Sequence, residues 1–186
     1  MPGYIVYWPQ DQVRNIQNAN DSGPIKVVFG SIHSRMPAIT SIKVGDVVFP
    51  ITLMKKHLYV LARLPVEHRE PAYDYLVREL GNYCNALVPE GVDWKLYYDT
   101  PLKPHLEHQI PFNCCSKLAV WGDKGSSICL RPLPDEILPS LRFGYPPIKE
   151  KGLRFHENGT VISPCIHATR RMAPETLELF ESLFQD

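Results

Sequence analysis

The chain has no surplus of charge of either sign: 20 Lys and Arg stand against 20 Asp and Glu, with 7 His besides. A protein that coats nucleic acid indiscriminately needs a basic surplus, because neutralising phosphates and releasing their counterions supplies most of its affinity. Broad, sequence-independent binding is therefore not expected, although a site that reads a single base remains open. Long apolar runs are missing too, and none approaches the roughly 18 residues that cross a bilayer, so no membrane partner is expected. The five cysteines, Cys84, Cys114, Cys115, Cys129 and Cys165, form neither a CxxC pair nor a regular spacing, which argues against a disulfide framework and a zinc ribbon. Free thiols in the reducing cytoplasm are the expectation, and the opening MPGYIVYWPQDQ lacks the charged start, apolar stretch and cleavage motif of a secretory signal. The sequons at Asn20-Asp21-Ser22 and Asn158-Gly159-Thr160 are then chance matches.

What is present is an ordinary globular composition, 44% hydrophobic and 22% charged over 186 residues, which suits one domain with a sizeable core. Proline is abundant at 18, against 11 glycines, and favours many short elements joined by fixed turns. The clearest feature is SIKVGDVVFPITLMKKHLYVLARLPVE, Ser41 to Glu67, where two β-rich runs at about 46–53 and 57–66 flank a polar Met54-Lys55-Lys56. Further strands are expected at Tyr4–Trp8, Ile25–Phe29, Trp94–Tyr98, Lys117–Trp121, Ser127–Arg131, and on both sides of Asn158-Gly159, a strong hairpin signal. Apolar residues three and four apart from Tyr73 to Leu87, with Pro71 ahead of them, predict a helix. Shorter helices are expected over Asp11–Asn20 and Pro134–Leu141, and a last one is opened by Ala173-Pro174-Glu175. This inventory describes an α+β protein with a curved mixed or antiparallel sheet closing into a small β-barrel, helices at its periphery. One domain spanning 1–186 is expected, with an insertion at about 67–116.

Signs of catalysis are weak. His105, His108, Cys114 and Cys115 in HLEHQIPFNCC are of the right type for zinc, but adjacent cysteines rarely both reach one ion. No metal and no cofactor is expected. GDKGSS at 122–127 inverts the Gly-Lys order of a phosphate loop and reads as a hairpin turn. Asp135-Glu136 complement a helix start, and Arg170-Arg171 read as a solvated pair. More suggestive is a set of aromatic and polar residues near the first strands: Tyr7, Trp8, Phe29, Ser31, His33 and Arg35. A flat base needs aromatic faces to stack on and a few polar groups to read its edge.

The order of these features resembles the PUA-like superfamily, and within it the EVE domain. Tyr4-Ile5-Val6-Tyr7-Trp8-Pro9 is similar to that family's first strand, and Phe29-Gly30-Ser31-Ile32-His33-Ser34-Arg35 to its aromatic-Gly stretch. Lys43-Val44-Gly45-Asp46 and the hairpin after it resemble the family's Lys-x-Gly-Asp turn, Arg131 to Ile137 its Pro-Val-x-Leu-x-Glu-Leu segment, and Ala173-Pro174-Glu175 its terminal helix. Phe29 stands where the family usually has tryptophan, and His33 where asparagine is more typical. The resemblance implies a pocket beside the first strands, lined by Trp8, Phe29, Ser31, His33 and Arg35. In it the aromatics would stack, Ser31 and His33 would read a base edge and Arg35 would hold a phosphate.

The function expected is a non-catalytic recognition module for DNA or RNA carrying a modified or flipped base. The alternatives are a protein-interaction or immunity-type protein that blocks a partner and, third, a cysteine- or metal-dependent hydrolase.

Overall fold

In the computed structural model the chain is described over residues 1–30, 39–80, 118–144 and 150–185. Its centre is β3, Val47–Met54. The sequence VVFPITLM is apolar at nearly every position, the pattern of a strand buried on both faces rather than one. On one edge lies β1, Gly3–Tyr7, parallel to β3 in a register that pairs Gly3 with Val47 and Tyr7 with Ile51. The other edge is shared by β4, His57–Val60, and β5, Leu64–Pro65, both antiparallel to it. β8, Arg131–Pro132, and β9, Arg170–Arg171, close the order β8-β4-β3-β1-β9. A second sheet runs β2-β7-β6, from Val27–Gly30, Leu118–Trp121 and His68–Pro71.

Side chains alternate across a strand, so β3 and β1 feed two cores. Val48, Tyr4, Val6 and Trp8 meet Val28 and Val120 of the second sheet, with Val13 and Ile16 of α1, Gln10–Asn18. Val47, Phe49, Ile51 and Ile5 face the other way, onto Leu138, Phe143, Met172 and Phe180. Phe180 belongs to α3, Pro174–Ser182, which begins with Pro174 in its first turn, where the missing N–H is harmless. Leu138 sits in a 3-10 helix at Asp135–Ser140. α2, Ala72–Leu80, follows β6 directly. β6 and α2 therefore come from the start of the stretch expected as an insertion, and the remainder of it, 81–116, lies outside the described residues, as does the strand expected at Trp94–Tyr98.

A closed barrel was expected; among the described residues the strands form two open sheets. One ladder is interrupted at Pro50. Leu61 donates to the Pro50 carbonyl at 2.8 Å, but proline has no N–H to return the bond. The Leu61 carbonyl instead accepts from the Cys129 N–H at 3.0 Å and from Arg131 Nη1 at 3.2 Å. The expected strand 57–66 is thereby broken into β4 and β5, and residues 61–63 turn to residues 126–129. Arg63 and Ser126 are bonded there at 2.9 Å through both the Ser126 N–H and its hydroxyl. Gly122 to Gly125 is likewise no hairpin turn, since β7 pairs with β2 and β6. At a second corner the chain passes from β5 through Val66 and Glu67 into β6, with Glu67 N–H bonded to the Trp121 carbonyl at 2.9 Å. The Asn158-Gly159 hairpin is reduced to one bridge, Phe155 with Val161.

Phe49 has no exposed surface, and its ring meets Phe180 edge-on at 5.5 Å and Phe184 at 5.8 Å. Truncation to alanine removes the main contact between β3 and α3, so Phe49→Ala is expected to cost about 3–5 kcal/mol in chemical denaturation. Val44→Ala, at a side chain that is 61% exposed, should stay within about 0.5 kcal/mol. Similar losses in both variants would contradict this account of the core.

Candidate functional site

Trp8 follows β1 and is fixed by its backbone N–H, which donates to the Ile51 carbonyl at 2.8 Å. Its ring is 1% exposed and lies in the core between the sheets. Phe29 is equally buried at 1%, but it faces the other way. Its neighbours in sequence and across the ladder, Val28 and Val120, point into the inter-sheet core. Phe29 pairs with Ala119 and meets the ring of Tyr75 on α2 edge-on at 5.6 Å. The expectation that both aromatics wall one open hollow is therefore corrected: they are interior side chains on opposite faces of the second sheet. Ser31, His33 and Arg35, which follow β2, lie outside the described residues, as do His105, His108, Cys114 and Cys115. Among the described residues no three His, Cys, Asp or Glu are grouped to hold a metal.

Among the described residues the interior holds several side-chain polar atoms without hydrogen-bond partners, Trp121 Nε1 and the Thr52 and Thr169 hydroxyls included. Two more, Trp8 Nε1 and Gln12 Nε2, belong to the β1–α1 junction, both buried and without a hydrogen-bond partner among the described residues. Gln12 lies in the first turn of α1 and is 3% exposed. Gln10, two residues earlier, ties the same turn to β3 by donating from Nε2 to the Leu53 carbonyl at 2.6 Å. A buried donor left unmade costs about 1–3 kcal/mol, and such orphans are few in native proteins. Gln12 escaped the sequence analysis because an isolated glutamine beside Val13 and Ile16 reads as the polar side of a short helix. Only its burial sets it apart.

On the opposite face of β1, the Tyr7 ring stacks on His167 with centroids 4.2 Å apart. Burial raises the Tyr7 hydroxyl pKa, the Asp11 carboxylate raises it further, and the nearby Thr52 side chain opposes them. His167 Nε2 lies 2.8 Å from Ser163 Oγ, within the reach of a nucleophile–base pair, but no carboxylate orients this imidazole among the described residues. An open cleft of about 480 Å³ runs between α1 and Leu61, Ile128 and Leu130, where the chain leaves the ladder beyond Pro50. Its lining joins aliphatic side chains to the polar Gln17, Asn20, Asp21 and Ser22.

A third cluster fastens α2 to the second sheet. His68 stacks on Trp121 with centroids 3.9 Å apart, and the Arg78 guanidinium lies 4.5 Å from the centre of the same ring. Two groups that close to one centroid must occupy opposite faces, so Trp121 is sandwiched and offers no free face to a base. Arg78 also reaches Glu70 at 2.8 Å. The hydrogen bond from Arg78 holds the Glu70 carboxyl below its ordinary range against an opposing effect of burial.

No protein-family model matches the chain, and no curated protein matches it. Among solved structures it is similar to the crystal structure of a mutant ZmASCH protein from Zymomonas mobilis. That likeness covers 83% of this chain and 92% of the other, with 11% sequence identity and a TM-score of 0.35. No family follows from it. A superposition this loose supports no inference about fold family or activity. Among the described residues, no helix is long and apolar enough to cross a membrane.

The Glu70–Arg78 pair gives a pH signature. A carboxyl whose pKa is depressed on folding contributes stability above its unfolded value, and that contribution is lost as pH falls through the folded value. Glu70→Gln should lower the melting temperature at pH 7, and the gap to the unsubstituted protein should close as pH falls well below about 4, under the unfolded glutamate range. A gap that persists undiminished at pH 3 would contradict the pairing.

Proposed function

We propose that the protein is a non-catalytic recognition module for nucleic acid, of PUA-like type, that takes one base at the junction of β1 and α1. The observation that carries this reading is the pair of unpartnered buried donors, Trp8 Nε1 and Gln12 Nε2. A base edge presents acceptors such as ring nitrogens and carbonyl oxygens, the groups that an indole N–H and an amide N–H require. Trp8 then serves through its N–H edge rather than as a stacking face. Ser31, His33 and Arg35 belong to the proposal as the polar side of the site, because they follow β2 and because the EVE-like resemblance puts them there. A modified or flipped base is the proposed form of the ligand. Unstacking costs least when the base is damaged or already single-stranded, which suits a chain with no net charge to grip long duplexes. The protein-partner alternative is favoured by no particular contact: among the described residues the exposed large hydrophobics are Met1 and Val44.

The test is binding of short modified and unmodified oligonucleotides, titrated against the protein and against Trp8→Phe and Gln12→Leu. The unsubstituted protein should bind at least one of them more tightly than about 100 μM, the weak limit of even non-specific association. Each substitution removes one donor and should weaken that binding by about tenfold, equivalent to one charge-free hydrogen bond. Absence of binding to any oligonucleotide would overturn the reading in favour of a protein partner.

A further inference from the structure

The turn between β3 and β4 is built from two residues that ordinarily avoid its geometry. Met54 pairs with His57, leaving Lys55 and Lys56 as a two-residue loop with φ of 48° and 72°. Two successive positive φ values define the turn that best suits a β-hairpin, and the sequence it prefers is Asn-Gly. Lysine has neither the missing Cβ of glycine nor the short polar side chain that lets asparagine adopt this conformation. Among the described residues the other positive-φ position outside glycine is Asn20, a residue type that tolerates it. Strain kept in a structure is a reason to look for function at that position. What the strain keeps here is charge: Lys55 and Lys56 are both exposed, and the nearest ion pair at the turn, His57 with Asp135 at 3.4 Å, uses neither of them.

The tip also stands at a particular end of the sheet. Trp8 is bonded to Ile51 and Gln10 to Leu53, so β3 continues from the β1–α1 junction straight into Lys55. Four residues of strand span about 13 Å, which puts the Lys55-Lys56 turn that far along β3 from the junction. We infer that Lys55 and Lys56 form a basic finger that contacts the phosphates of a single nucleic-acid strand. This rests on the base-recognition reading above and adds a second contact to it. Of the acidic residues on these elements, Asp46 directly precedes β3 and accepts from the Lys43 N–H at 2.7 Å, Asp11 lies on α1, and Asp135 is engaged by His57.

Two double variants separate strain from charge. K55N/K56G supplies the preferred turn and removes both charges; K55Q/K56Q keeps the strained turn and removes the charges. Binding of a fluorescent single-stranded oligonucleotide, chosen as the best binder of the unsubstituted protein, is measured from 50 to 300 mM salt beside thermal melts. Each lysine on a single strand contributes a slope of about 0.7 in log affinity against log salt. Both variants should therefore lose about 1.4 of slope, and K55N/K56G alone should melt higher, by about 2–4 °C. An unchanged slope in both variants while the unsubstituted protein binds overturns the finger and leaves base recognition standing. A melting temperature for K55N/K56G no higher than that of the unsubstituted protein overturns the claim that the turn is strained. Failure of the unsubstituted protein to bind overturns the base reading and the finger with it.

Discussion

The structure depends on a single strand being buried on both of its faces. β3 is apolar along most of its length, and the elements that position Trp8 and Gln12 are referred to it. β1 lies parallel against it, and the alternation of β1 sends Trp8 into one core and Tyr7 towards the other. α1 is tied to it through Gln10, and α3 is held against its far side through Phe180 and Phe49. The one position where β3 departs from a regular strand is Pro50. Its missing N–H leaves the Leu61 carbonyl to Cys129, and the strand opposite breaks there into β4 and β5.

Elements whose period shows in the sequence were readable from it. The hairpin at β3 and β4 follows from two β-rich runs around a polar pair, and α2 and α3 follow from apolar residues three and four apart behind a proline. The break of the second hairpin strand into β4 and β5 was not readable, since it depends on which carbonyl meets Pro50 across the ladder. Nor was the partner of β7: nearness in sequence suggested residues 127–131, but β2 and β6 flank it instead. The same limit applies to the site. Trp8 and Phe29 are both aromatic strand-end residues, yet a two-residue alternation on β2, invisible until the pairing is known, puts them on opposite sides of a sheet.

That burial changes the chemistry of recognition. Exposed aromatics would offer stacking, worth about 1–3 kcal/mol per base and indifferent to base identity. Buried donors offer little until an acceptor of the right geometry arrives, and then discriminate strongly, because the alternative is an unpaired polar group in the interior. A chain without net charge fits this second mode better than the first. Attraction at a distance would fall to local groups such as the Lys55-Lys56 tip, and selection to Trp8 and Gln12. The remaining aromatic cluster, Trp121 between His68 and Arg78, is already filled by its own neighbours and serves to anchor α2.

The central claim is that the Trp8 indole N–H is a donor waiting for a ligand acceptor. Its proton resonance, assigned by its loss in Trp8→Phe and followed by nuclear magnetic resonance during oligonucleotide titration, tests this most directly. The account predicts a saturable downfield shift of that proton and slowed exchange with solvent as the hydrogen bond forms. A resonance that stays in place while the oligonucleotide binds and shifts other residues would contradict it.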